Sequence, residues 1–128
     1  MAKILVIDDE PEFLAVLRET LVKLGHDVTA ARGSLAGLTA YRAERPDLVI
    51  TDIFMPDLGG LNVLMQLARD SSVRVIAMSG GGPKGLVEVL DDAPAFGAWG
   101  TLHKPFTRSQ LIAVIDEALG VKAQHGVA

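Results

Sequence analysis

The chain has 128 residues, 49% hydrophobic and 22% charged, with a formal net charge of -4, which suits one globular domain with an ordinary core. It has no cysteine, which excludes a thiol nucleophile and a disulfide framework, and no Lys/Arg cluster of the kind that marks a nucleic-acid footprint. The first apolar run is short and ends in three acids, so it is neither a signal peptide nor a membrane span, and a cytoplasmic location is expected.

Ile4-Leu5-Val6-Ile7 is a continuous apolar run rich in β-branched residues and predicts a buried parallel strand. Asp8-Asp9-Glu10 follow it. Pro11 suits a first helical turn; Phe13, Leu14, Leu17, Leu21 and Leu24 recur at helical spacing, and Gly25 ends the helix. Val28 and Thr29 begin a shorter strand near the sheet edge. Ser34 is expected to cap a second helix with Leu35, Leu38 and Tyr41 facing inward, and Glu44-Arg45-Pro46 to stop it. Leu48 to Thr51 predicts a third strand, ending at Asp52. Met55 to Gly60 is a loop rich in turn formers.

Leu61, Val63, Leu64 and Leu67 predict a third helix, and Val73 to Met78 a fourth strand. Gly80-Gly81-Gly82 interrupts that strand, and Leu86 to Leu90 reads as a short helix. Trp99 to Leu102 is the expected fifth strand. Leu111, Ile112, Ile115 and Leu119 form a final amphipathic helix. The order is (βα)₅, an α/β class with a doubly wound five-stranded parallel sheet and right-handed crossovers. One domain is expected over 1–120, with 121–128 as a short tail and no output domain.

Open α/β sheets place their chemistry at the C-terminal strand edge, and four such edges here carry polar groups. Asp8 and Asp9 crowd two carboxylates together, and a hard divalent cation relieves their repulsion. Mg²⁺ fits, with Mn²⁺ as an alternative. Asp9 is the choice for direct ligation and Asp8 for orienting the site or holding a metal-bound water. Glu10 favours the start of the helix that follows, and the competing reading of all three is a solvated acidic loop. Asp52 can attack phosphorus to form an aspartyl phosphate while also ligating the cation. A turn-capping Asp is its alternative. Ser79 offers a hydroxyl and Lys104 a point charge toward phosphate; an ordinary turn serine and an exposed lysine are the bland readings.

The glycine run lacks the P-loop pattern, and no Gly-x-Gly-x-x-Gly follows the first strand, so those glycines read as a hinge. His26, His103 and His125 form no metal-ligand motif. Trp99 reads as packing or surface recognition.

Taken together, Asp8-Asp9, Asp52-Ile53-Phe54-Met55-Pro56, Ser79 and Lys104-Pro105-Phe106, each after its strand, resemble the receiver domain of bacterial response regulators over about residues 3 to 119. The resemblance implies a flavodoxin-like fold with strand order 2-1-3-4-5. It implies phosphorylation of Asp52 by a sensor histidine kinase or a histidine phosphotransfer protein. Asp9, Asp52 and the main-chain carbonyl of Phe54 would then hold Mg²⁺, with Asp8 assisting, and Ser79 and Lys104 would contact the phosphoryl oxygens. The domain is no conventional enzyme but would assist its own phosphoryl transfer and dephosphorylation by electrostatic positioning.

Three departures from the family pattern stand out. The strand-five switch position is Thr101 where the family has an aromatic, so Trp99, two residues away, is a candidate to share the switching role with Ser79. Gly59 occupies a commonly acidic position. The Ser79–Lys104 interval is longer than usual, with 80–83 and 94–96 as the places for the extra length.

As a lone receiver, the chain would be a diffusible signalling protein, a phosphorelay shuttle or an excised domain of a larger regulator or hybrid kinase, with a monomer favoured over a dimer. An aspartate-nucleophile phosphatase of the haloacid-dehalogenase type would need Asp-x-Asp spacing near strand one, which is absent. A degenerate, phosphate-independent interaction module is the remaining rival.

Overall fold

The computed structural model describes residues 2–55, 60–80 and 97–120, with the backbone alone at residues 60 and 61. Strands β1 (Lys3–Asp8), β2 (Asp27–Arg32), β3 (Leu48–Asp52), β4 (Arg74–Ser79) and β5 (Gly100–His103) form one sheet. Helices α1 (Pro11–Lys23), α2 (Ser34–Glu44), α3 (Gly60–Leu67) and α4 (Arg108–Leu119) flank it. The strand order is β2-β1-β3-β4-β5 and every pairing is parallel, as in flavodoxin-like folds.

Alternation along the strands divides the core in two. Ile4, Val6, Leu48, Ile50, Ile76 and Met78 join Leu14, Leu17 and Leu21 of α1 and Leu111 and Ile115 of α4 on one face. Leu5, Ile7, Val49, Val75 and Ala77 join Leu38 of α2 and Val63, Leu64 and Leu67 of α3 on the other. With helices on both faces, all five residues of β3 are buried. That is why the central strands read as unbroken apolar runs. Each fully buried Leu or Ile contributes roughly 1.5–3 kcal/mol of transfer free energy. The site-bearing strand ends therefore stand on a rigid base.

Several element boundaries differ from the sequence expectation. Strand β2 is not shorter; its six residues pair along all of β1. Ser34 is the first residue of α2 and fully buried, while the cap position belongs to Gly33 at φ 96°. The helix therefore turns Ser34, Gly37 and Leu38 to the sheet and leaves Leu35 62% exposed. Gly37 permits this approach, because a Cβ there would lie 2.6 Å from Ile7 Cδ1 and 2.8 Å from Ile7 Cγ2. Strand β5 begins at Gly100 and not at Trp99, which lies in a bend although its N–H still donates to the Val75 carbonyl at 2.7 Å.

Helix α4 starts with a capping box that the sequence reading missed. The Thr107 hydroxyl accepts from the Gln110 N–H at 3.0 Å, and the Thr107 N–H donates to Gln110 Oε1 at 2.8 Å. The Thr-x-x-Gln spacing is its signal. The loop over 56–59 with Gly59, Gly81 and Gly82, the short helix expected over 86–90, the extra length expected at 94–96 and the tail over 121–128 lie outside the described residues.

Candidate functional site

Strands β1 and β3 are neighbours with Ile7 in register with Thr51, so Asp8 and Asp52 end side by side at the C-terminal edge. Both are buried, at 0% and 4% exposure. They are held in the same way. Asp8 Oδ1 accepts from the Glu10 N–H at 2.9 Å, and Asp52 Oδ1 accepts from the Phe54 N–H at 2.8 Å. Each aspartate thus uses one oxygen to fix the turn leaving its own strand. The other oxygens converge on one amine. Lys104 Nζ donates to Asp8 Oδ2 at 2.6 Å and to Asp52 Oδ2 at 3.0 Å.

Lys104 comes from the far side of the sheet. Its N–H donates to the Ser79 carbonyl at 2.7 Å, one residue beyond the Ser79–His103 pair of β4 and β5. The Lys104–Pro105 peptide bond is cis. The lysine side chain is only 9% exposed, and Glu10 Oε1 lies 4.0 Å from its amine. The bland reading of an exposed lysine is therefore not met. The amine also stands 4.1 Å from the centre of the Phe13 ring, which meets Phe106 edge-on with centroids 6.0 Å apart. Sequence reading placed Phe13 only among the core positions of α1. Its place in the first turn after the acids is the one signal that could have suggested more.

Burial and pairing oppose each other here. Burial pushes the Asp52 carboxyl above its ordinary pKa, although the Phe54 N–H and the Lys104 charge pull it down. For Lys104, burial is the largest influence and pulls its pKa down. The Asp8 and Asp52 carboxylates together outweigh it and leave the amine raised, hence charged at neutral pH.

Asp8, Asp9 and Glu10 can bring one carboxylate oxygen each within 4.8 Å of one another. Asp9 is half-buried, Glu10 is exposed, and the Arg32 Nε–H donates to the Asp9 carbonyl at 3.3 Å. These hard oxygens suit a divalent cation such as Mg²⁺. The Phe54 N–H bond to Asp52 holds the backbone of the third expected ligand, Phe54, beside the same carboxylate.

Ser79 is 2% exposed at the end of β4, and its hydroxyl donates to the Gly80 carbonyl at 3.2 Å. Thr101 is half-buried on β5 in register with Ala77. Trp99 lies at the opposite end of β5 from Lys104. Arg74 covers its ring at 4.6 Å and donates from Nη1 to the Ala118 carbonyl of α4 at 3.1 Å.

Comparison with known proteins points one way. The family described as "Response regulator receiver domain" matches residues 4–116. PilH of Pseudomonas aeruginosa is 31% identical over 127 residues, covering 99% of this chain and 98% of its own length. The probable transcriptional regulator ycf27 of Porphyridium aerugineum is 34% identical over 119 residues, covering 91% of this chain. This chain spans 48% of that regulator, about half its length. The response regulator TrrA of Thermotoga maritima, solved in complex with Mg²⁺-BeF, superposes with a TM-score of 0.80 at 26% identity, covering 92% of this chain and 99% of its own. Among the described residues no helix is long and apolar enough to cross a membrane.

Proposed function

Because the chain belongs to the receiver-domain family of bacterial two-component response regulators, we propose that it signals by accepting a phosphoryl group on Asp52. The donor is a phosphohistidine of a sensor histidine kinase or of a histidine phosphotransfer protein. The observation that carries this reading is the convergence of Asp8, Asp52 and Lys104: two buried carboxylates at adjacent strand ends share one buried amine.

An Asp52 carboxylate oxygen attacks phosphorus in line; the new O–P bond forms as the P–N bond to the donor histidine breaks, and the imidazole leaves with the electron pair. Phe54 keeps Oδ1 occupied through its N–H, so Oδ2, now paired with Lys104, is the natural nucleophile. Lys104 then exchanges that carboxylate oxygen for a phosphoryl oxygen and neutralises charge as it develops. The Ser79 hydroxyl needs only to rotate away from the Gly80 carbonyl to donate to a second phosphoryl oxygen. Asp9, Asp52 and the Phe54 carbonyl would hold Mg²⁺, or Mn²⁺, with Asp8 assisting. The cation supplies positive charge to the phosphoryl oxygens. The same groups then position a water for hydrolysis of the acyl phosphate. The Mg²⁺-BeF complex of TrrA pairs a hard cation with a small anion, and the acids and Lys104 of this chain suit the same pairing.

We take the domain to span 1–120 and to act on a partner protein through a change at Ser79 and Thr101. Thr101 also favours a second reading, a phosphate-independent interaction module, because a threonine offers no ring to swing. Calorimetric titration with Mg²⁺ separates the two. The receiver reading expects binding that weakens at least tenfold in Asp9→Asn. Equal heats in both proteins would support the interaction module.

A further inference from the structure

Among the described residues, Phe13 is the aromatic side chain whose ring faces the amine at the centre of the site. The amine stands 4.1 Å from the ring centroid, within the range of an attractive cation–π contact. Lys104 is 9% exposed, so water competes weakly for its charge, and the contact counts for more than it would at the surface. The ring is itself fixed. Phe106 meets it at 89°, and Phe106 lies two residues from Lys104 on the same connection. Strand β5 thus sends its amine to one face of the ring and a second ring against it. Helix α1 supplies Phe13 from the turn that follows the acids.

The hydrogen-bond contacts of Lys104 Nζ are two carboxylate oxygens, at 2.6 and 3.0 Å. Those contacts must be exchanged when a phosphoryl group arrives. The ring contact does not depend on which oxygen the amine faces. We propose that Phe13 is a positioning residue for phosphoryl transfer: it holds the Lys104 amine while its oxygen partners change. This rests on the reading of Lys104 as the phosphoryl-contacting amine.

The test changes the charge distribution of the ring and leaves its shape almost untouched. Phe13 is replaced by 4-fluoro-, 3,5-difluoro- and 3,4,5-trifluorophenylalanine, and the rate of Asp52 phosphorylation by acetyl phosphate is measured at saturating Mg²⁺. Fluorine withdraws the negative face that attracts the amine. The rate is expected to fall stepwise across the series, by about tenfold in total, with little change in Tm. In a Lys104→Gln background, itself slow, the series is expected to be flat.

A flat series in the native background, with Lys104→Gln still slow, overturns the role of Phe13 and leaves that of Lys104 standing. An undiminished rate in Lys104→Gln overturns both. A fall that persists undiminished in Lys104→Gln shows the ring acting by another route and likewise overturns the proposal.

Discussion

Asp52 is buried where the proposed chemistry needs an ionised carboxylate, and its stability consequence has a definite sign. Its pKa is raised in the folded protein, chiefly by burial. The folded state therefore holds this proton more tightly than the unfolded chain does. Stability falls as pH rises from the ordinary carboxylate range through the raised pKa, and the loss is complete once the group is fully ionised. Asp52→Asn removes that cost. Its Tm is expected to exceed the wild type by a few degrees at neutral pH, with the gap closing below about pH 3.5 in parallel melts. A lower Tm at neutral pH would mean that pairing with Lys104 outweighs burial.

Lys104 has the opposite balance. Its raised pKa means that its contribution is full below the ordinary lysine range and is lost only as pH rises through the raised value. Lys104→Ala leaves two buried carboxylates facing each other. It is expected to cost about 3–5 kcal/mol at neutral pH in urea titrations, with part recovered by Mg²⁺. Unchanged stability would contradict the pairing geometry.

At the scale of elements, helices α2 and α4 show what sequence patterning reaches and where it stops. Among the described residues the order of strands and helices was legible because buried parallel strands and amphipathic helices have different periods. The inward face of α2 was legible in part: Leu38 is buried and Tyr41 packs against the core as expected. Leu35 reads as a core position by type, yet the helix turns Ser34 and Gly37 to the sheet, a choice made by close packing on Ile7. Gly37→Ala tests this. Helix propensity alone favours alanine by up to about 1 kcal/mol, but the clash with Ile7 is expected to reverse the sign to a loss of about 1–3 kcal/mol in urea titrations. A stabilised variant would show that α2 can retreat from β1 without cost. Helix α4 carries the connection that delivers Lys104. Thr107→Ala removes its capping hydroxyl and is expected to lower stability by about 1 kcal/mol, whereas Thr107→Ser should be close to neutral.

For the whole molecule, the site is a product of topology. Asp8, Asp52, Ser79 and Lys104 are distant in sequence, and each is unremarkable alone. The parallel register of β1, β3, β4 and β5 brings their strand ends to one edge. Their residue types and strand-end positions were readable, and so was the family resemblance. The shared amine between Asp8 and Asp52 was not, because side-chain direction at a strand end depends on the turn that follows. Nor was the Phe13 ring beside the amine, since a helical apolar position is ordinarily core. Trp99 lies just before β5, and its ring packs under Arg74 at the end of the strand away from Lys104. On this mechanism Asp52 accepts a phosphoryl group in a reaction that needs the acids and Lys104 around it. Incubation with Mg²⁺ and acetyl phosphate, followed by intact-mass measurement, tests it most directly. A single phosphoryl adduct is expected, lost in Asp52→Asn and when Mg²⁺ is chelated. An adduct of equal yield in Asp52→Asn, or one indifferent to Mg²⁺, would contradict it.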